Sequence, residues 1–375
     1  MRWRWIATHL AAAAMGAGLV SLLALRSATP EPRGRPGPDP LRAGPAEFAW
    51  REHPPASFPI PPYARHLSGV KVVLDPGHVG QIDKGGDWKR GPTGLREAEV
   101  NLRVALYLRE FLVAAGADVT LTRAEDVDLG LSDPEDLSAR AKLANDLRAD
   151  VLLSIHHNAG PPGANYTSVF YHGPPGHSPA SQVVGRHVVA GLSEALRLDQ
   201  HAECPLVSDW AIYPGEGFRV LREARVPAVL SEASFHSNPA EEQRLRDPLY
   251  NRREAYGLFL GLARWAQAGL PRVRLLEPAD GRLRPAQRVV VELDDGLTGR
   301  GGLGNQTRKI IPESLVVRLD DKPAPFEVDW ARRQVRFTPT REAARGAGRL
   351  LVDFTTVFGQ TVLHPRIELT PERRP

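Results

Sequence analysis

Two histidines and a carboxylate stand in three separate stretches of this chain. His78 closes Asp75-Pro76-Gly77-His78, Glu97 stands at the mouth of a helical pattern, and His156 closes Ser154-Ile155-His156. Two imidazoles and one carboxylate are the donor set of a catalytic zinc site, which leaves a coordination position open. A cation so held lowers the pKa of bound water toward about 7 and can polarise a carbonyl oxygen. A fourth group, Glu232 in Ser231-Glu232-Ala233-Ser234-Phe235, lies at the end of an apolar run. A carboxylate there can take the proton from the attacking water and pass it to a departing nitrogen, and amide cleavage needs both transfers. The pattern is that of a metal-dependent hydrolase.

The third ligand requires a choice, because Glu99 stands beside Glu97 and the two lie about 200° apart around a helix. Glu97 continues the stripe of Asn101, Val104, Leu108 and Phe111, whereas Glu99 shares its side with Arg103 and Glu110. The periodicity selects Glu97 as the inward group. Taken singly, a histidine after a strand is more often a hydrogen-bonded structural residue than a ligand. A carboxylate on an apolar strand, as at Glu232, is costly to bury unless paired, metal-bound or tuned for a task. His157 points to the other side of its strand from His156 and reads equally as ligand support or as core. His172, His177, His201 and His236 can approach such a pocket once folded. His236 is the best of these, as a donor to a developing oxyanion. A structural role is the stronger reading, and it stays outside the catalytic assignment.

Elements of two kinds must deliver these groups to one place. Between residues 70 and 268, strand-like segments at 71–74, 118–121, 151–155, 168–171 and 228–230 alternate with helical ones at 98–115, 138–147, 179–196 and 239–267. Such alternation predicts an α/β domain with a mostly parallel twisted sheet flanked by helices. Ligands in such folds collect beyond the carboxyl ends of the strands, and His78, His156 and Glu232 each stand at or just past such an end.

Met1-Arg2-Trp3-Arg4-Trp5 followed by the apolar run 6–25 is an export signal or a membrane anchor, since about 20 apolar residues suffice to span a bilayer. Arg26 at the minus-three place of a cleavage after Ala28 does not suit the small-residue rule, which keeps a retained anchor open. The Pro/Arg-rich stretch 29–68 reads as a linker, too poor in periodic apolar residues to fold. Residues 1–68 carry eight arginines against four acids, 8 − 4 = +4, which accounts for the whole net charge of +4. The remainder is near neutral, so nucleic acid is not an expected partner. The lone cysteine, Cys204, cannot form an internal disulfide.

Beyond a catalytic domain at 69–268, segments 288–293, 314–319, 334–337, 349–354 and 361–368 alternate apolar and polar residues. They predict an accessory domain at 272–375, a small all-β immunoglobulin-like sandwich without a catalytic cluster. It can bind cell wall or a partner protein, or act as a spacer; fold alone does not choose.

The stretches VVLDPGHVG, GLREAEVNLRVALYLREFL, VTLTR, LLSIHHNAG, FRVLREARVPAVLSEASFHSN and PAEEQRL, in this order, resemble successive motifs of the zinc-dependent N-acetylmuramoyl-L-alanine amidases of type 3. The resemblance spans residues 71–265. It implies a periplasmic or otherwise extracytoplasmic peptidoglycan hydrolase that cuts the amide between the lactyl group of N-acetylmuramic acid and L-alanine. It places the zinc ligands on His78, Glu97 and His156 and the catalytic glutamate on Glu232. Partners it admits are peptidoglycan, an activator protein and, if the N-terminal segment is retained, the inner membrane. Val79 departs from the glycine usual in that family, and the charged loop 81–93 is rather long. The stretch 158–167 is too short for the inhibitory helix of some relatives. A turn-rich insertion at 199–217 reads as a surface loop, with a lid or an activator surface as the alternative. Two other functions stay open: a zinc carboxypeptidase or endopeptidase on stem peptides, and an inactive wall-binding scaffold.

Overall fold

The computed structural model describes residues 58–78, 89–126, 132–284, 286–297, 309–346 and 348–371. The expected export signal, most of the linker, Val79 and most of the loop 81–93 lie outside these residues. The chain divides into two units, Met1–Gln267 and Ala268–Pro375. Among the described residues, no helix is long and apolar enough to cross a membrane.

The first unit is built on six strands: β1 (Lys71–Pro76), β2 (Asp118–Leu121), β3 (Val151–Asn158), β4 (Ser168–Tyr171), β5 (Leu206–Ser208) and β6 (Ala228–Phe235). They form one sheet in the order β2-β1-β3-β6-β4-β5. The strands β2, β1, β3 and β6 run parallel, and β4 opposes β6 while pairing in parallel with β5. The sheet is therefore mixed. Strands β1, β3 and β6 are almost wholly buried, with continuous apolar runs where alternation would mark a half-exposed strand.

Among the described residues, six helices accompany the sheet: α1 (Glu97–Ala114), α2 (Asp133–Asp146), α3 (Pro179–Leu196), α4 (Arg219–Glu223), α5 (Pro239–Leu245) and α6 (Pro248–Gln267). In α1 the stripe Asn101, Val104, Leu108 and Phe111 is buried, as its spacing predicts. Helix α2 opens with a capping box in which Ser132 and Glu135 satisfy each other's backbone groups. Ala141 and Ala144 of α2 join Val73, Leu152, Phe170, Val220 and Leu230 in one buried cluster, which packs α2 and α4 on the sheet. Helices α3 and α6 approach closely through glycines: a Cβ on Gly191 would sit 2.2 Å from the carbonyl oxygen of Gly257.

Three expectations are corrected. The linker was to extend to residue 68, but Phe58 is 5% exposed and contacts Phe111 and Tyr256 edge-on or tilted, while Tyr256 Oη donates to Pro59 O at 2.7 Å. Ala64 and Leu67, in the short 3-10 turn Pro62–Leu67, are also buried. Packed residues thus lie as far as ten positions before the expected boundary, on apolar contacts that no local periodicity announces. The single helix expected at 239–267 is two, α5 and α6, parted at Asp247-Pro248, where proline disfavours a helical residue before it. The insertion 199–217 does not form one loop. It contains the edge strand β5, which carries the chain from one end of the sheet to the other.

Among its described residues, the second unit is all-β apart from the helix α7 (Arg341–Gly346) and a short 3-10 turn. Its principal strands are β7 (Arg272–Glu277), β8 (Arg282–Leu283), β9 (Val289–Asp294), β10 (Val316–Leu319), β11 (Lys322–Pro323), β12 (Glu327–Asp329), β13 (Gln334–Phe337), β14 (Arg349–Asp353) and β15 (Arg366–Glu368). Two four-stranded sheets, β11-β10-β14-β15 and β12-β13-β9-β7, are antiparallel throughout. Both contribute to one core, through Val289, Val291, Val335 and Phe337 on one side and Val317, Leu319, Leu350 and Val352 on the other. That is a sandwich.

Candidate active site

The segment after β1 turns sharply at Gly77 and sets His78 in the left-handed region, at φ 63°. That conformation disfavours a side chain and needs external support. Two buried guanidinium groups supply it. Arg140 of α2 donates to His78 O at 2.8 Å, to Pro76 O at 2.9 Å and to Asp75 Oδ1 at 2.8 Å. Arg123, after β2, donates to Pro76 O at 3.0 Å and Gly77 O at 3.1 Å. Asp75 also accepts from Ser154 Oγ at 2.6 Å and Thr122 Oγ1 at 2.7 Å. Burial raises the Asp75 carboxyl, but the charge of Arg140 and these hydroxyl donors outweigh it and hold the group below its usual range. Burial, with the like charge of Arg140, pushes Arg123 down to about 10.

Glu97 opens α1, and the loop leading to it is pinned from α5. Glu242 accepts from the backbone N–H of Thr93 and of Leu95 at 2.9 and 3.0 Å. The side chain of Glu97 is 3% exposed, against 45% for Glu99, which turns to Arg103. His156 lies in β3 directly opposite Glu232 of β6 in the register.

The structure brings three of the expected residues together: ligand-type atoms of His78, Glu97 and His156 all lie within 4.8 Å of one another. His78 Nε2 is 2.8 Å from Glu97 Oε2, His156 Nδ1 is 3.2 Å from Glu97 Oε1, and the two rings stand edge to face at 4.9 Å. Two imidazoles and a carboxylate suit a borderline-soft divalent cation. The cradle is tight, since a Cβ on Gly77 would meet the His156 ring at 2.2 Å. Burial alone would raise the Glu97 carboxyl, yet the neighbouring histidines hold it well below its ordinary value. His156 is shifted down, first by burial. A deprotonated Glu97 and a His156 shifted toward its neutral form suit metal ligation.

Glu232 keeps partial exposure, but its Oε2 is buried without a hydrogen-bond partner. Burial, then the negative charge of Glu97, pushes its carboxyl well above the ordinary range. A cation held by Glu97 would offset the second cause.

Of the other histidines, His236 approaches the cluster in a structural setting and His172 does not approach it. His236 is fully buried, with neither ring nitrogen hydrogen-bonded and Nε2 at 3.6 Å from Glu97 Oε2. It backs the carboxylate, which does not suit a donor to an oxyanion. Because β4 opposes β6, and its first residue Ser168 pairs with Glu232, His172 beyond the far end of β4 lies at the opposite edge of the sheet. There His172 Nδ1 pairs with the buried Asp209 at 2.9 Å. Sequence reasoning left out Arg123, Arg140 and Glu242 altogether. Arg140 and Glu242 lie in ordinary polar helix patterns and Arg123 at a strand end, so the sequence names no partner for any of them.

A family model described as N-acetylmuramoyl-L-alanine amidase matches residues 72–264. The match covers more than half of the chain and contains every residue of the cluster. The chain therefore belongs to the amidase type 3 family of N-acetylmuramoyl-L-alanine amidases. It is a hydrolase of peptidoglycan that cleaves the amide between N-acetylmuramic acid and L-alanine. The germination-specific N-acetylmuramoyl-L-alanine amidase of Bacillus subtilis (strain 168) is 31% identical over 215 residues, 54% of this chain and 83% of the relative. The amidase CwlM of Bacillus licheniformis is 30% identical over 197 residues, 52% of this chain and 68% of the relative. Among solved structures, an amidase of Clostridium difficile 630 is 29% identical, with 53% of this chain and 97% of that chain covered at a TM-score of 0.43.

Proposed function

We propose that this amidase is zinc-dependent, with His78, Glu97 and His156 holding the ion and Glu232 moving the protons. The observation that supports this most is the convergence of those three donor atoms within 4.8 Å from three distant chain segments. When bound there, the ion supplies Lewis acidity toward water and toward the scissile carbonyl. Glu232 takes the proton of the attacking water, so the oxygen can form its bond to the carbonyl carbon. As the carbon–nitrogen bond breaks, the same carboxyl gives that proton to the L-alanine nitrogen. Glu232 keeps partial exposure, and no hydrogen bond within the protein engages its Oε2. The pair Asp75–Arg140 and the Arg123 guanidinium hold the backbone that carries His78.

Peptidoglycan as the substrate places the work outside the cytoplasm, and we assign residues 1–28 to export or anchoring, 29–57 to a tether and the second unit to wall or partner attachment.

The test is incubation of the purified protein with sacculi, with and without a chelator, and mass analysis of the products. The expected products are intact stems beginning with L-alanine and glycan free of peptide, with none formed under chelation. Stems shortened by one residue, or cut within the cross-bridge, would reassign the enzyme to the carboxypeptidases or endopeptidases.

A further inference from the structure

One oxygen of Glu97 is occupied from within the protein. Oε1 accepts from the backbone N–H of His157 at 3.1 Å and from Asn101 Nδ2 at 3.2 Å. Oε2 is turned toward His78, and Oε1 also lies 3.2 Å from His156 Nδ1. Asn101 Nδ2 also reaches Gly77 O at 3.3 Å, so both neighbours of that nitrogen are acceptors and the orientation of the amide is fixed. Its Oδ1 consequently faces His157 Nδ1, at 2.8 Å, and this ring nitrogen must carry a hydrogen. The other ring nitrogen of His157 lies 3.0 Å from Glu254 Oε2 of α6. Glu254 and Asn101 are 0% exposed and His157 is 1% exposed.

We infer that Glu254, His157 and Asn101 form a buried positioning chain that orients the Glu97 carboxylate and thereby sets how tightly the active site holds its cation. The inference rests on the ligand assignment proposed above. Its location argues for it. The amide of Asn101 touches both Glu97 and the backbone just before His78, and its other partner, His157, follows His156 directly. The three ligand-bearing segments thus meet at one side chain. A glutamate has three rotatable side-chain bonds, and two donors on one oxygen remove the freedom that would otherwise be lost when the ion binds.

Zinc affinity of the intact protein, by competition with a chromophoric chelator, separates the two roles, and the visible spectrum of the cobalt form reports ligand geometry. Asn101→Ala removes the amide and leaves the His157–Glu254 pair. His157→Phe combined with Glu254→Leu replaces that pair by apolar groups, so no buried charge is stranded. Both are expected to weaken zinc binding by about 10- to 100-fold and to shift the cobalt spectrum, while the metal-free proteins still unfold cooperatively. Glu254→Gln can donate to His157 Nε2 and keep the hydrogen on Nδ1, so its affinity should stay close to the parent's. Parental zinc affinity in both Asn101→Ala and the double variant overturns the positioning role. Should the double variant not fold, Asn101→Ala alone decides. A His78→Ala control that binds zinc as tightly as the parent would instead sink the ligand assignment on which the chain depends.

Discussion

Gly77 sits where no side chain fits, with the His156 ring 2.2 Å from the place of its missing Cβ. Gly77→Ala should displace that ring and lower zinc content in the purified protein, which metal analysis would report; full occupancy would show that the cradle can relax. Glu232 makes the complementary case. Glu232→Gln preserves shape and removes the proton acceptor, so zinc content is expected to be retained while turnover on sacculi falls by about 100-fold or more. Near-parental turnover in that variant would remove Glu232 from the mechanism. Both predictions belong to single atoms, and the glutamate was readable beforehand because an isolated acid inside Val229, Leu230 and Ala233 has no structural reason to be there. The glycine was readable only as part of a motif.

Between elements, the buried pair Asp75–Arg140 links β1 to α2, with both side chains 2% exposed. Arg140→Leu strands the Asp75 charge and should cost about 3–5 kcal/mol of stability in urea unfolding, well beyond a surface pair. The pH dependence follows from the depressed Asp75 value. A carboxyl whose folded pKa is lowered binds its proton more readily when unfolded. Its contribution is complete above the unfolded value of about 3.9 and is lost as pH falls through the folded value. Asp75→Asn should flatten the stability profile below about pH 4 and leave no slope of its own above it. An unchanged acid limb in that variant would mean that other carboxyls carry it. None of this was legible in sequence, since Arg140 lies in an ordinary polar helix pattern and its partner stands 65 residues away.

At the scale of the molecule, residues 58–67 pack with α1 and α6 through Phe58, Phe111 and Tyr256. A chain beginning at Val70 should therefore have a lower melting temperature than one beginning at Phe58, by several degrees, since losing a buried aromatic contact costs about 3 kcal/mol. Equal melting curves would return that segment to the linker.

The amino-acid sequence alone determined the alternation of strand and helix, the inward face of α1, the all-β second unit and the types of group at the site. These are local: period, apolar runs and side-chain chemistry are written within a dozen residues. Only the tertiary structure decided that β4 opposes β6, which sends His172 to the far edge. It also revealed the edge strand β5, the packing of Phe58, and the partners of Arg123, Arg140, His157 and Glu254. Strand direction and buried polar pairing are set by contacts between segments far apart in the chain, where the free energy of satisfying a charge or covering an apolar face depends on what folding has already brought beside it.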